Sequence, residues 1–288
     1  MGLPMARKLL RAGFPLLVWN RTAERCATLV EEGADAVSEP GSLAAADVVV
    51  TMLTDGRAAR AVLVESGLLG KLRPGSVVLE MSTIGPAAVA ELAAHALRHD
   101  IHLLDAPVSG SVSVAEEAQL FVMVGGDNDA YERVAPILDA MTKGHVLLGP
   151  SGTGAAMKIA VNAMIAVTNE SLAETLILAE QFGVERERAY DVLASGVLTS
   201  PFLLYKRAAF LRPDTEPVAF TIDLMRKDAS LAEDLASQLG VRLPTVAAAS
   251  GVLDEAVRDG LGDADIASVI TVLGDEQQQS RHSTTPTT

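Results

Sequence analysis

The sequence predicts an α/β domain built on a mainly parallel sheet, followed by an all-α domain. The chain has 288 residues, which is enough for two domains of ordinary size. Hydrophobic residues make up 49% and charged residues 21%, so there is ample apolar material for buried cores. Short β-branched runs alternate with helical stretches up to about residue 150, and only helical periodicity follows.

The first half opens with a helix. Apolar residues from Leu3 to Leu10 have helical spacing, and Gly13 is a typical residue to end that helix. A short strand over residues 14–19 and a helix over residues 23–32 follow. Five further apolar runs predict strands: 47–53, 76–81, 101–104, 120–124 and 145–148. Strands that alternate with helices of ten or more residues indicate βαβ units and a parallel sheet.

The pattern changes at residues 149–152. The stretch 155–182 predicts one long helix that is apolar on most faces, so it should be buried among helices or at a subunit interface. Polar residues interrupt it too early for a membrane span. Further helices are predicted at 185–195, 221–239 and 244–260. We therefore expect an α/β domain at residues 1–150, a helical domain at 151–274 and a disordered polar tail at 275–288.

Charge and composition argue against several classes of partner. A net charge of -14 disfavours nucleic acid and anionic membranes, which both attract basic surfaces. The single Cys26 excludes an intrachain disulfide and fits a reducing, cytoplasmic location. His95 and His99 have helical metal spacing, but charged neighbours favour a solvated helix end, so no metal site is expected.

A strand end in the first half indicates dinucleotide binding. The strand at 14–19 runs into Asn20-Arg21-Thr22. In a Rossmann-type unit this strand end meets the adenosine ribose, where an acid binds the 2′-OH of NAD and an arginine accommodates the 2′-phosphate of NADP. Arg21 and Thr22 suit a phosphate group. The simpler alternative is that they solvate a loop and cap the next helix.

Two later patterns carry polar chemistry. The turn from Pro107 to Gly110 follows a strand and offers backbone N–H groups and the Ser109 hydroxyl to a carboxylate, although Pro and Gly also suit an ordinary turn. Lys158 and Asn162 lie four residues apart near the start of the long helix. Desolvation and the positive helix end would lower the pKa of Lys158 and suit it to proton transfer. A lysine that extends from a packed helix to solvent is the alternative.

Four blocks together resemble the β-hydroxyacid dehydrogenase family, which includes 3-hydroxyisobutyrate dehydrogenases and glyoxylate/succinic semialdehyde reductases. The blocks occur in family order between Gly2 and about Ile270. They are Gly2-Leu-Pro-Met-Ala with Asn20-Arg21-Thr22, Asp105-Ala-Pro-Val-Ser-Gly110, Gly152-x-Gly-x-x-x-Lys158-x-x-x-Asn162, and Lys227-Asp228-x-x-Leu-Ala. In the family a central strand and two more glycines come before the equivalent of Gly2. We therefore expect a start codon upstream of Met1.

The resemblance implies a reaction and a set of residues. The reaction interconverts a small β-hydroxy acid and its semialdehyde with NADP, or alternatively NAD. Lys158 would transfer the proton, while Ser109, Gly110 and Asn162 would bind the carboxylate-bearing substrate. The residues expected to contact the cofactor are Gly2, Asn20, Arg21, Thr22, Met52, Leu53, Ser82, Thr83 and Lys227, with Asp228 as a supporting neighbour. A homodimer or homotetramer is expected.

Two departures from the family pattern leave alternatives open. Ser111 replaces the usual second glycine of its block, and Ala118 replaces a later glycine. These changes allow a reductase of an imine or a bulkier carbonyl compound, although imine reductases typically lack a lysine at the position of Lys158. A third possibility is a catalytically impaired, truncated binding protein that keeps the fold without the first strand.

Overall fold

The computed structural model describes residues 1–274 and consists of two compact units. The first unit is Met1–Ile159, and the second begins at Ala160. The predicted disordered tail, residues 275–288, lies outside the described residues.

The first unit contains two sheets. The strands of the described part of the chain are β1 (Leu17–Val18), β2 (Asp35–Ala36), β3 (Val48–Thr51), β4 (Val77–Glu80), β5 (His102–Asp105), β6 (Val108–Ser109), β7 (Leu120–Gly125) and β8 (Thr142–Gly149). β1 and β2 form a parallel pair. The larger sheet has the order β3-β4-β5-β7-β6, with β8 also paired to β7. Its pairs are parallel except β5–β7 and β6–β7, which confirms the mainly parallel sheet.

Helices cover both faces of the larger sheet. The α-helices before β8 are α1 (Gly2–Arg11), α2 (Ala27–Glu31), α3 (Gly56–Arg60), α4 (Leu68–Lys71), α5 (Pro86–Leu97), α6 (Val112–Glu116) and α7 (Asn128–Met141). Of these, α2 packs in a separate small core around Val18. Successive residues of β4 face opposite sides, so Leu79 belongs to one hydrophobic core and Val78 to the other. Burial on both faces explains why the strands are nearly continuous apolar runs in the sequence.

Helix α1 connects the two sheets through side-chain packing. Met5 and Leu9 lie in the core of the larger sheet, whereas Ala6 and Leu10 pack against the small core around Val18. The strand predicted at residues 14–19 is shortened to the two residues of β1. Its only partner among the described strands is the two-residue β2, and strand length cannot exceed the ladder that supports it.

The helical part of the chain begins with α8 (Thr153–Gln181) and continues with α9 (Arg186–Ser195), α10 (Pro201–Leu211), α11 (Ile222–Leu239) and α12 (Pro244–Arg258). The helical second half is thereby confirmed. α10 was not predicted, although Ser200 caps it through a bond from Leu203 N and Pro201 occupies its first turn. Within residues 1–274, no helix is long and apolar enough to cross a membrane.

The division between the compact units lies inside α8, later than the boundary expected near residue 150. The first turns of α8 pack with the sheet, since Ala155 belongs to the same hydrophobic core as Val78. A helix can start on one unit and continue into the next, and composition alone does not show where its contacts change.

Candidate active site

Three buried polar side chains end three neighbouring strands. Thr51, Glu80 and Asp105 are the last residues of β3, β4 and β5, and they are paired in register across the parallel ladders. Paired residues of parallel strands point to the same face, so these side chains form one row. Each is at most 5% exposed. The row lies at the carboxyl edge of the sheet, where open α/β sheets bind ligands.

Glu80 connects the loops that follow β3 and β4. Thr51 Oγ1 donates a hydrogen bond of 2.6 Å to Glu80 Oε2, and Ser82 N donates one of 2.9 Å to Glu80 Oε1. Leu53 N donates in turn to Ser82 Oγ at 2.8 Å. The structure thus brings together Leu53 and Ser82, two of the predicted cofactor residues. Burial raises the pKa of the Glu80 carboxyl, while its hydrogen bonds oppose the rise.

Asp105 fastens the start of α8 to the end of β5. Its Oδ1 accepts a hydrogen bond of 2.7 Å from Gly152 N, and its Oδ2 accepts one of 2.8 Å from Ala155 N. A carboxylate at a helix N-terminus satisfies N–H groups that otherwise lack partners. Burial raises the pKa of Asp105, and these backbone bonds oppose the rise. The second and third sequence blocks therefore meet at Asp105.

The contact between these blocks explains why glycine occupies position 154 and position 125, the last residue of β7. A Cβ on Gly125 would lie 2.7 Å from Asp105 Oδ1, and a Cβ on Gly154 would lie 2.7 Å from the Asp105 carbonyl oxygen. Neither distance is compatible with a side chain. Lys158 is half-buried on α8, one turn beyond Ala155, so Asp105 fixes the part of the helix that carries it.

The predicted substrate turn lies beside β7. Ser109 ends β6, and Gly110 adopts a φ of +134°, a conformation that side chains disfavour. A Cβ on Gly110 would also lie 2.7 Å from side-chain atoms of Leu120 and Val114. Ser111, which departs from the family pattern, pairs its hydroxyl with that of Ser113 at 2.8 Å.

The remaining predicted cofactor residues of the first unit lie in two places. Gly2, at the start of α1, adjoins Met52, because a Cβ on Gly2 would lie 3.7 Å from Met52 Cβ. After β1, Asn20 Oδ1 accepts a hydrogen bond from Thr22 N at 2.9 Å and shapes the turn. Arg21 is exposed and has no ion-pair partner within residues 1–274, so its guanidinium is available to an anion.

In the second unit, Asp228 joins two predicted site residues that are far apart in sequence. Asn162 Nδ2 donates a hydrogen bond to Asp228 Oδ2, across 66 positions of the chain. Lys227 Nζ lies 2.9 Å from Asp228 Oδ1. Asn162 is 3% exposed and Asp228 is 2% exposed, so this contact orients the Asn162 amide in a buried setting.

Sequence reasoning gave no role to Thr51, Glu80 or Asp105. A signal was available, because each is a polar residue at the end of a strand that is otherwise apolar. Their cross-strand pairing needed the structure. Within the described residues, no group of three or more His, Cys, Asp or Glu side chains is placed to hold a metal ion.

Two family models together match nearly all of the described chain. The model for the NAD binding domain of 6-phosphogluconate dehydrogenase matches residues 1–149. The model for the NAD-binding region of NADP-dependent 3-hydroxyisobutyrate dehydrogenase matches residues 152–273. The two matches meet at the start of α8.

Individual proteins agree with these matches. Glyoxylate/succinic semialdehyde reductase 2 of Arabidopsis thaliana, a chloroplastic protein, is 34% identical over 95% of this chain and 76% of its own length. A 3-hydroxyisobutyrate dehydrogenase of Mycobacterium tuberculosis, solved with L-serine, is 30% identical over 95% of both chains, with a TM-score of 0.84. An imine reductase of Myxococcus stipitatus is 20% identical with a TM-score of 0.63, a likeness of fold alone. The chain belongs to the β-hydroxyacid dehydrogenase family of NAD(P)-dependent oxidoreductases.

Proposed function

We propose that this protein interconverts a small β-hydroxy acid and its semialdehyde with NADP as the preferred cofactor. One observation carries the proposal. The Asp105 carboxylate binds the first turn of α8 to the end of β5, so the lysine-bearing helix start and the Pro107–Gly110 turn are held by the same strand end.

Lys158 is the proposed general acid and base. During reduction its ammonium group would give a proton to the carbonyl oxygen of the semialdehyde, and during oxidation its amine would take the proton from the hydroxyl group. A bound nicotinamide would supply the hydride to the carbonyl carbon of the semialdehyde, or accept it from the hydroxyl-bearing carbon of the acid.

The carboxylate of the substrate is assigned to the turn after β5. The Ser109 hydroxyl and the backbone N–H of Gly110 would donate hydrogen bonds to it, which suits an acid better than a neutral carbonyl compound. Asn162, held by Asp228, would orient the substrate, and Lys227 would contact the cofactor. Such positioning supplies much of the rate enhancement in bimolecular reactions.

Arg21 and Thr22 underlie the proposed preference for NADP. An exposed arginine without an ion-pair partner among residues 1–274 can form a bidentate pair with the 2′-phosphate.

The test combines cofactor titration with a substrate panel. The wild-type chain is titrated with NADPH and NADH. It is then assayed in reduction with NADPH and succinic semialdehyde, glyoxylate or a cyclic imine, and in oxidation with NADP⁺ and 3-hydroxyisobutyrate. We expect tighter binding of NADPH and turnover of the carboxylate-bearing compounds. Preferential turnover of the imine would favour the alternative that Ser111 and Ala118 raise. Binding of neither cofactor would favour a binding protein without catalysis.

Two variants test the assigned roles. Lys158→Ala should lower kcat by about 10²–10⁴-fold with NADPH binding unchanged. Arg21→Asp should weaken the binding of NADPH relative to that of NADH by about tenfold or more. The control is Arg98→Asp, at an exposed helix end, which should leave this ratio unchanged. Near-normal turnover in the Lys158 variant would remove its role in proton transfer.

The exposed face of α8 supports assembly with a second copy of the chain. Met157 and Met164 lie seven residues apart, and Leu178 lies fourteen residues further on, with Ser171 at the position between them. Met157, Met164 and Leu178 are 43%, 73% and 75% exposed, and Phe182 is 91% exposed. Large apolar side chains at coiled-coil spacing suit helix pairing. We propose a homodimer through α8, or a homotetramer built from such dimers. Sedimentation analysis of Leu178→Glu should show a loss of assembly.

A further inference from the structure

Glu80 is a buried acid that none of the proposed contacts uses. It is 0% exposed, so it touches neither solvent nor a ligand at the edge of the sheet. A carboxyl group in such a position is unfavourable unless its oxygens are hydrogen-bonded. What its bonds hold in place therefore shows what the residue does.

Among the described residues, the hydrogen bonds to the Glu80 carboxyl come from residues at or just beyond strand ends. Oε2 accepts from the hydroxyl of Thr51, the last residue of β3, and Oε1 accepts from Ser82 N, just beyond β4. The Ser82 hydroxyl accepts a hydrogen bond from Leu53 N. The Glu80 carboxyl thus joins Thr51 to Ser82, and Ser82 in turn holds Leu53.

We propose that Glu80 is a positioning residue for the dinucleotide cofactor, holding the loops at residues 52–53 and 82–83 in the spacing that binding requires. The inference rests on the proposed function, because it takes both loops as the cofactor-binding surface. Ser82 then acts mainly through Leu53 and Glu80, since its hydroxyl is already engaged inside the protein.

Two substitutions separate hydrogen bonding from charge. Burial raises the pKa of Glu80 and so favours its neutral form, which Gln resembles in shape. In Glu80→Gln the amide oxygen can accept from Ser82 N, and the amide nitrogen can donate to Thr51 Oγ1. Glu80→Ala removes every bond. Ser76→Ala is the matched control, because Ser76 is a buried polar residue at the other end of the same β-branched run.

The experiment measures NADPH binding by fluorescence titration and steady-state kinetics with succinic semialdehyde. We expect Glu80→Ala to raise the Kd and KM for NADPH by about tenfold or more, with kcat at saturating NADPH changed less than threefold. The Kd and KM of Glu80→Gln for NADPH should stay within about threefold of the wild-type values. Those of Ser76→Ala should equal the wild-type values. A general loss of folding would not produce this difference between KM and kcat.

A milder substitution covers the case in which Glu80→Ala does not fold. Thr51→Val keeps the β-branched shape of the side chain and removes its hydroxyl. It should raise the Kd for NADPH by about threefold. The proposal is overturned if folded Glu80→Ala or Thr51→Val binds NADPH as tightly as wild type, or if Glu80→Gln is as weak as Glu80→Ala. Failure of the wild-type chain to bind NADPH would instead overturn the proposed function.

Discussion

The two units bury acidic side chains in different ways. In the first unit, Glu80 and Asp105 accept hydrogen bonds from hydroxyl and backbone N–H groups at the carboxyl edge of the sheet. In the second unit, Asp265 pairs with Lys206 at 2.5 Å, with both side chains at most 2% exposed. Glu170, at 5% exposure, has no hydrogen-bond partner for either carboxyl oxygen within residues 1–274.

The difference separates groups that shape a site from groups that hold a domain together. Neutral donors fix a carboxyl group without a counterion, so its removal loosens the attached backbone and changes binding or catalysis. A buried ion pair joins distant helices, and removal of one partner leaves an uncompensated charge. Substitution of Glu80 or Asp105 should therefore affect function most, and substitution of either member of the Lys206–Asp265 pair should affect stability most.

The largest effect on stability is expected at Lys206. Asp265 also accepts hydrogen bonds from Ala219 N and Ala267 N, so the ion pair joins α10 to two chain segments. Lys206→Met leaves Asp265 buried without its counterion and should destabilise the protein by about 3–5 kcal/mol in urea unfolding. The control is Arg207→Met, which removes exposed ion pairs of the same helix. It should change the urea midpoint of unfolding little. Equal losses of stability in Lys206→Met and Arg207→Met would contradict a stabilising role for the buried ion pair.

Among the buried acids, the largest effect on catalysis without loss of cofactor binding is expected at Asp105. In Asp105→Asn an amide NH2 group replaces one acceptor and faces an N–H group of α8. We expect kcat to fall by about 30- to 100-fold while the KM for NADPH changes less than threefold. The control is Asp127→Asn, which alters an acid that caps α7 through Ala130 N at 2.9 Å. A rise in the KM for NADPH without a fall in kcat would show that Asp105 acts on the cofactor.

A pH-dependent effect is expected at Glu170, whose pKa is raised by burial to about 8 from its ordinary value of 4.5. Because the folded pKa is the higher one, the stability that this group contributes is complete below about pH 4.5 and is lost as pH rises towards 8. Glu170→Gln should therefore gain about 2–4 kcal/mol over wild type between pH 5 and pH 8. Urea unfolding at both pH values measures this, with exposed Asp234→Asn as control. If the stability difference between Glu170→Gln and wild type were the same at pH 5 and pH 8, ionisation of Glu170 would not be its cause.

The smallest effect is expected at Ala118. It has a φ of +55°, a left-handed conformation in which a Cβ is unfavourable and glycine is not. Ala118→Gly should stabilise the protein by about 1 kcal/mol. Ala90→Gly, at an exposed position inside α5, should destabilise it by a similar amount. Thermal unfolding of the two variants checks the opposite signs.

Local patterns made much of the fold predictable. β4 is buried on both faces and β3 on one face, with the other face of β3 partly buried, so the residue types of these β-branched runs identify them. The two-residue β2 and β6 could not be predicted, because a strand so short is defined by its partner. α10 was missed although its capping residues are visible in the sequence.

The amino-acid sequence by itself determined the fold class, the residues of the four blocks and the family they indicate. Spacing along one element is local information, as in the one helical turn between Lys158 and Asn162. Only the tertiary structure decided which residues meet: Thr51 with Glu80, Asp105 with the start of α8, and Asn162 with Asp228. These contacts join residues 29, 50 and 66 positions apart. Such pairs depend on strand register and helix packing, which no local pattern specifies.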